Sequence, residues 1–145
     1  PGYPNLTDAD WQWGNAESEL FQTIYNGRMA AMPVLTPALG GDEGIDNMVK
    51  YVQSLSGGDA DAGAMSAQPM FVALCSACHG VDGKGNKIFG APNLTDDIWL
   101  YGSSAETIRE TLVKGRNGQM PAHGELFGEN RTKILAAYVY SMSQN

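Results

Sequence analysis

The sequence predicts an all-α protein with long irregular loops. Apolar residues recur at helical spacing in several segments, strand-like alternation is scarce, and two copies of an internal repeat show the same helical pattern. The chain has 145 residues and is 43% apolar, as expected of a soluble globular protein.

Two amphipathic helices are predicted in the first third of the chain. Leu20 and Ile24 lie on one face of the first helix, because they are one helical turn apart. The second helix carries an apolar face formed by Ile45, Met48, Val52 and Leu55.

The last third repeats this arrangement. Ser103 and Glu106 form a predicted capping box, and Ile108 and Leu112 continue the helix that follows it. A terminal helix is predicted from the spacing of Ile134, Leu135, Tyr138, Val139 and Met142.

The internal repeat is explicit in the sequence. PNLTDADWQWG begins at Pro4 and PNLTDDIWLYG begins at Pro92, and 12 of 30 positions are identical between 4–33 and 92–121 without a gap. Each repeat ends in a related segment, YVQSLS or YVYSMS. The fold expected is one complete domain at 67–145, preceded by a partial copy at 1–57.

A segment rich in Gly, Ala, Asp and Ser separates the two copies and is predicted to be a linker at 58–66. The partial copy starts too late to contain an equivalent of CSACHG, which precedes the second copy. We therefore expect residues 1–57 to be loosely packed, to pair with another copy, or to pack on the complete domain.

Charge and hydropathy limit the classes of partner and of structure that the sequence allows. The net charge is −7, so nucleic acid is not an expected partner, whereas a basic protein would be attracted. No apolar run reaches the roughly 20 residues that a membrane helix needs.

The motif CSACHG carries the chemistry. On a helix, Cys75, Cys78 and His79 project from one face, so two thiols reach the edge of a porphyrin while the imidazole binds its iron. The spacing is typical of covalent c-type haem attachment. A redox-active dithiol and a zinc site are the alternatives, but the first lacks its usual βαβ setting and the second lacks further ligands.

A haem iron bound by His79 has a second axial position. Met120 is the leading candidate, because it lies in the polar, Gly-rich segment KGRNGQMPAHG, where a Met has little core to fill. His123 is the reserve candidate.

Four further residues are candidates for cofactor binding. The Pro92 carbonyl is placed to accept the Nδ1 proton of His79. Trp99, Tyr101 and Arg116 are candidate donors to the haem propionates.

These motifs resemble those of a class I cytochrome c, with CSACHG on the first helix, a Met-Pro loop and a closing helix. The doubled PNLTD segment, with NGRMAAMP and KGRNGQMP, more narrowly resembles the dihaem subunit III of cbb3-type cytochrome c oxidases. The resemblance implies two haem c domains tethered by a membrane segment on the periplasmic side of the bacterial cytoplasmic membrane. It also implies that the chain is a fragment beginning inside the first domain.

The resemblance implies that the chain is an electron carrier and not itself an enzyme. It would accept electrons from a donor cytochrome c and pass them to the other subunits of a proton-pumping terminal oxidase of the respiratory chain. One haem c would be held by Cys75, Cys78, His79 and Met120, and Met32 would be a ligand only if a first haem were present. A haem enzyme or gas sensor with a displaceable sixth ligand, resembling a peroxidase, is the alternative, followed by an adaptor module with a structural haem.

Overall fold

The computed structural model describes residues 3–144, and within that range the protein is helix-rich with one small antiparallel sheet. The α-helices are α1 (Glu17–Asn26), α2 (Asp42–Leu55), α3 (Ala62–Leu74), α4 (Ser76–His79), α5 (Ala105–Lys114) and α6 (Gly124–Met142). The strands are β1 (Arg28–Met32) and β2 (Arg116–Met120). The helix content agrees with the sequence prediction and is compatible with a cytochrome c fold.

The two strands are a difference from the all-α prediction. They come from equivalent positions of the repeat, and they pair with Arg28 opposite Met120 and Met32 opposite Arg116. The pairing is therefore symmetric about Ala30 and Gly118. Neither RMAAM nor RNGQM shows the β-branched alternation that predicts a strand, and pairing with the other copy supplies the hydrogen bonds instead.

Two helix starts also differ from the sequence prediction. The N-cap of α5 is Ser104 and not Ser103, because the Ser104 hydroxyl accepts a hydrogen bond from the Thr107 N–H at 3.2 Å. Helix α3 begins inside the segment predicted as a linker, because Asp61 Oδ1 caps it by accepting from the Ala64 N–H at 2.8 Å.

Helix α6 is bent near its start. Gly128 has φ 69° and ψ 170°, which is outside the helical region and suits glycine. The hydroxyl of Thr132 donates to the Gly128 carbonyl at 2.8 Å and closes the first turn after the bend.

The core consists of two unequal clusters. In the larger one, α2 packs against α3 and α5, and in the smaller one, α1 packs against α6. The larger cluster contains Leu39, Ile45, Met48, Val49, Tyr51, Val52, Ala64, Ala67, Phe71, Cys75, Leu94, Ile108 and Leu112. The smaller contains Leu20, Ile24 and Ala136.

The helices pair across the repeat. Helix α1 is equivalent to α5, and the YVQSLS end of α2 is equivalent to the YVYSMS end of α6. Helix α2 of the first copy packs on α5 of the second copy, and α6 of the second copy packs on α1 of the first. The closing helix of each copy therefore packs on the other copy, and we call this arrangement the exchanged pairing. Of the arrangements expected for 1–57, α2 shows packing on the other copy, whereas the division into domains stays a prediction.

Among residues 3–144, no helix combines the length and apolar character required to cross a bilayer.

Candidate functional site

The CSACHG motif lies where α3 meets α4. Cys75 is the junction residue, and the Cys78 and His79 amides both donate to its carbonyl, at 3.2 and 2.9 Å. Cys75 and His79 are buried, whereas Cys78 is exposed. The two thiols are unpaired, so both are free for covalent attachment.

The imidazole of His79 is oriented by one backbone contact. Its Nδ1 lies 3.0 Å from the Pro92 carbonyl oxygen, the contact anticipated from the sequence. A carbonyl only accepts, so Nδ1 carries the proton and Nε2 keeps its lone pair for an iron. Burial lowers the pKa of His79, partly opposed by this hydrogen bond, and so favours the neutral imidazole.

The loop between His79 and Pro92 is tied down by backbone hydrogen bonds. The Gly85 amide donates to the His79 carbonyl at 2.8 Å, and the Leu94 amide donates to the Gly83 carbonyl at 2.7 Å. A side chain at Gly85 would meet the Ala91 carbonyl at 2.5 Å, so the loop can close this tightly only with glycine there. These contacts hold the Pro92 carbonyl against the imidazole.

The two thiols differ in their surroundings. Burial, and to a lesser extent the neighbouring Cys78, raises the pKa of Cys75 to about 11. A thiol with this pKa stays protonated at neutral pH and is a poor nucleophile for disulfide exchange. This property disfavours the dithiol alternative.

The three candidate propionate donors have different neighbours in the structure. Trp99 packs against that cluster and donates from Nε1 to the Asp96 carbonyl at 3.2 Å. The Arg116 guanidinium lies 4.4 Å from the centre of the Tyr101 ring and donates from Nε to Thr111 Oγ1 at 2.9 Å. The structure thus brings Tyr101 and Arg116 together, and their role towards a haem stays a prediction.

The first copy contains a matching arrangement. Arg28 lies 4.7 Å from the centre of the Trp13 ring and donates to Thr23 Oγ1 at 2.9 Å. The two copies therefore share these side-chain contacts as well as sequence identities.

The two methionines of the Met-Pro segments lie at opposite ends of the sheet. Met120 ends β2 opposite Arg28, and its side chain is 37% exposed. Met32 ends β1 opposite Arg116, is half-buried, and packs against the cluster that contains Cys75. His123, the reserve candidate, stacks on Phe127 with ring centres 5.6 Å apart.

The fit to a c-type haem rests on the donors themselves. The structure presents one buried imidazole nitrogen with a free lone pair, and two unpaired thiols on the same short stretch of helix. The loop after His79 also exposes large apolar side chains, Val81, Ile88 and Phe89, which suit contact with an apolar ring. These residues fit the group.

A family model described as cytochrome c oxidase, cbb3-type, subunit III matches residues 62–139, from α3 to α6. The chain belongs to this family. Its members are c-type haem proteins. The match includes the CSACHG motif, so both thiols and the imidazole lie within the region that matches the family model.

Relatives that match nearly the whole of this chain agree with the family assignment. The cbb3-type cytochrome c oxidase subunit CcoP of Rubrivivax gelatinosus is 39% identical over 143 residues, covering 99% of this chain and 47% of the relative. The subunit FixP of Bradyrhizobium diazoefficiens is 42% identical over 154 residues, covering 97% of this chain and 52% of the relative. The chain spans about half the length of these relatives.

The sequence did not predict that Met32 packs against the cluster that contains Cys75. It predicted this residue as a ligand only if a first haem were present, because the repeat was interpreted as two domains in series, and that role stays a prediction. The location of Met32 depends on a tertiary contact, the pairing of the equivalent strands β1 and β2 with each other. No local sequence pattern predicts this pairing.

Proposed function

We propose that this chain is an electron-transfer module in which one haem c is bound covalently by Cys75 and Cys78, with His79 as an axial ligand. The observation that carries the proposal is the buried His79 imidazole, held by the Pro92 carbonyl beside two free thiols. The haem supplies a centre that gains and loses one electron without bond rearrangement in the protein.

The protein's own residues prepare this centre. The Pro92 carbonyl orients the imidazole and raises its basicity as a ligand. Phe71, which is fully buried and belongs to the same larger cluster as Cys75, contributes to an apolar setting for the Cys75 thiol. A methionine would serve as the second ligand of the iron, and the sequence predicts Met120 for this role. Thioether ligation and an apolar setting both raise the reduction potential.

The module works as the electron-input part of a cbb3-type cytochrome c oxidase. A donor cytochrome c would pass electrons to the haem that Cys75, Cys78 and His79 would hold, and the other subunits of the oxidase would accept them, so oxygen reduction and proton pumping would occur outside this chain. The domain faces the periplasm, where haem is joined to such motifs. The family assignment and the names of the relatives support this placement.

Intact mass under denaturing conditions tests the proposal first. The purified chain should carry the mass of one haem, and Cys75→Ala with Cys78→Ala should abolish covalent attachment. A matched control is Met29→Ala, which removes an exposed sulfur residue far in sequence from the motif and leaves the haem attached. A wild-type chain without covalent haem would overturn the proposal.

Ligand binding and electron transfer test the role. The reduced protein should not bind carbon monoxide on the timescale of mixing, because its sixth position is filled, and it should exchange electrons rapidly with a soluble cytochrome c. Rapid carbon monoxide binding by the wild-type chain would instead favour the gas sensor or peroxidase-like enzyme.

A further inference from the structure

We propose that Trp13 of the first copy is a positioning residue for the proposed haem ligand His79. Its indole packs on Gly90, in the loop that carries the Pro92 carbonyl, and so keeps that carbonyl against the His79 imidazole. This inference rests on the proposed function, because it concerns a ligand of the same haem. Like the exchanged pairing, the contact joins the first copy to the second.

The indole of Trp13 lies directly on the backbone of Gly90. A methyl group built on Gly90 would be 2.2 Å from Trp13 Cζ2 and 2.3 Å from Cε2, so the ring leaves no room for a side chain there. Gly90 is buried and has φ 62°, a backbone conformation that favours glycine. Both the ring and the turn therefore require glycine at this position.

The turn that contains Gly90 is closed by backbone hydrogen bonds. The Asn86 amide donates to the Ala91 carbonyl at 3.0 Å, and the Ala91 amide donates to the Asn86 carbonyl at 3.1 Å. Ala91 is followed at once by Pro92, whose carbonyl oxygen is 3.0 Å from His79 Nδ1. A displacement of Gly90 is therefore transmitted to the imidazole through Ala91 and Pro92.

Trp13 is itself held by contacts within the first copy. The centre of its ring lies 4.7 Å from Arg28 Cζ. Arg28 Nε donates to Thr23 Oγ1 at 2.9 Å, and that hydroxyl donates to the Glu19 carbonyl at 2.8 Å, so the stack is fixed to helix α1. Helix α1 packs on α6, so the loop is supported from the side of the smaller cluster.

The second copy shows why the size of this ring matters. Tyr101 is the counterpart of Trp13 and makes the equivalent stack, 4.4 Å from the Arg116 guanidinium. The Tyr101 hydroxyl lies beside strand β2, 3.8 Å from the position that a methyl group on Gly118 would take. The arginine stack is thus common to both copies, whereas the contact with Gly90 depends on the outer ring of the indole, which tyrosine lacks.

The hydrogen bond to Pro92 affects the reduction potential through the imidazole of His79. An Nδ1 proton donated to a carbonyl makes Nε2 a stronger donor to iron. A stronger donor stabilises ferric iron, so it lowers the reduction potential of the haem. Trp13 therefore keeps the potential lower than a loosened loop would allow.

The first experiment compares Trp13→Ala and Trp13→Phe with the control Phe21→Ala, all in the full, haem-loaded chain. Phenylalanine keeps an aromatic ring for Arg28 but lacks the outer ring of indole. Phe21 is also half-buried, packs against the smaller cluster and stacks on Tyr25, so its loss tests general destabilisation. The readouts are the reduction potential and the exchange rate of the His79 Nδ1 proton in the reduced protein, measured by nuclear magnetic resonance.

Trp13→Ala should accelerate exchange of the Nδ1 proton roughly tenfold, because the loop opens more often. Its reduction potential should rise above that of the wild type. Trp13→Phe should show smaller changes in the same directions, and it decides the comparison if Trp13→Ala does not fold. Phe21→Ala should match the wild type in both readouts.

An unchanged value of either readout in the Trp13 variants, or equal changes in Phe21→Ala, would overturn the inference. A lower potential would also overturn it, because the ring would then act by excluding water from the haem. Covalent haem is measured by mass in every sample. A wild-type chain without haem fails the proposed function itself, so the two failures are distinguishable.

A second experiment tests the contact itself with Gly90→Ala, alone and combined with Trp13→Ala. The backbone strain of alanine at φ 62° costs stability in both backgrounds, but the clash with the indole exists only when Trp13 is present. Gly90→Ala should therefore cost less stability in the Trp13→Ala background, as measured by denaturant unfolding. Equal costs in the two backgrounds would mean that the indole does not pack on Gly90, which contradicts the inference.

Discussion

Helices α2 and α6 close equivalent parts of the repeat, yet only α2 is deeply buried. Met48 is fully buried at 0% exposure, whereas its counterpart Leu135 is 37% exposed. Tyr51 is 6% exposed and packs on Phe71 with ring centres 5.2 Å apart, whereas its counterpart Tyr138 is 63% exposed. Helix α2 packs on both α3 and α5, whereas α6 packs on α1, so the Tyr-Val pair that both helices share is buried in α2 and more exposed in α6.

The largest expected effect is a contrast in stability between the two helices. Met48→Ala should lower the free energy of unfolding by roughly 2 to 5 kcal/mol, because it leaves a cavity in the core. Leu135→Ala should cost about 1 kcal/mol or less, because much of that side chain is already in water. Denaturant unfolding of both variants measures the difference. Equal losses would mean that α6 also occupies a well-packed core.

The two glycines that follow α1 and α5 should give the next largest effect. Gly27 and Gly115 have φ near 70° and ψ near 180°, a region that is costly for other residues. A side chain added at Gly27 would meet the Met120 carbonyl, and one added at Gly115 would meet the Met32 carbonyl. Gly27→Ala and Gly115→Ala should therefore each lower the free energy of unfolding by about 1 to 3 kcal/mol, with similar losses because the two contacts are equivalent. Denaturant unfolding measures both losses, and a large loss in only one variant would contradict the equivalence of the two contacts.

The two stacked arginines test the part of the repeat that is symmetric. Arg28→Lys and Arg116→Lys each remove a planar guanidinium that bridges an aromatic ring and a threonine hydroxyl. Each should cost about 1 kcal/mol in denaturant unfolding. Lys114→Gln, in an exposed ion pair, is the control and should change stability by about 0.5 kcal/mol or less. A large loss in one arginine variant only would show that the copies are not equivalent here.

The smallest effect concerns Asp10, whose counterpart in the second copy is Ile98. Burial, then Asp96 and Asp8, raise the pKa of Asp10, while Lys87 opposes them. A raised pKa in the folded state means that stability falls as the pH rises from the ordinary value of Asp through this raised value. Asp10→Asn should remove that dependence and raise stability at neutral pH by about 0.5 kcal/mol or less.

The measurement is the free energy of unfolding from pH 3 to pH 7, on the wild type and on Asp10→Asn. The gain of the variant should grow with pH. A gain that shrinks as the pH rises would mean that the Asp10 carboxylate is stabilised in the folded protein.

The sequence predicted what local chemistry determines. CSACHG placed the thiols and the imidazole on one short stretch, and the contact between His79 and Pro92 is present in the structure. Helical periodicity located α1, α2, α5 and α6. Such features depend on neighbours within a few residues.

The sequence could not predict in the same way which closing helix packs on which copy. YVQSLS and YVYSMS present nearly the same apolar pattern, so periodicity cannot decide which of them packs on α3. The strands were also missed, since RNGQM has no strand-like alternation and forms β2 only against its equivalent segment. The N-cap of α5 is Ser104 and not the predicted Ser103, because two adjacent serines can both act as an N-cap and the sequence does not distinguish them.

The short connection between α2 and α3 has a consequence for how this protein reaches its final form. Only residues 56–61 separate these helices, whereas α1 and α6 lie near opposite ends of the described chain. Contacts between nearby segments form sooner, because closing a short loop costs less entropy. The short connection therefore favours α2 as the helix that packs on α3 beside the CSACHG motif, and it leaves α6 to pack on α1.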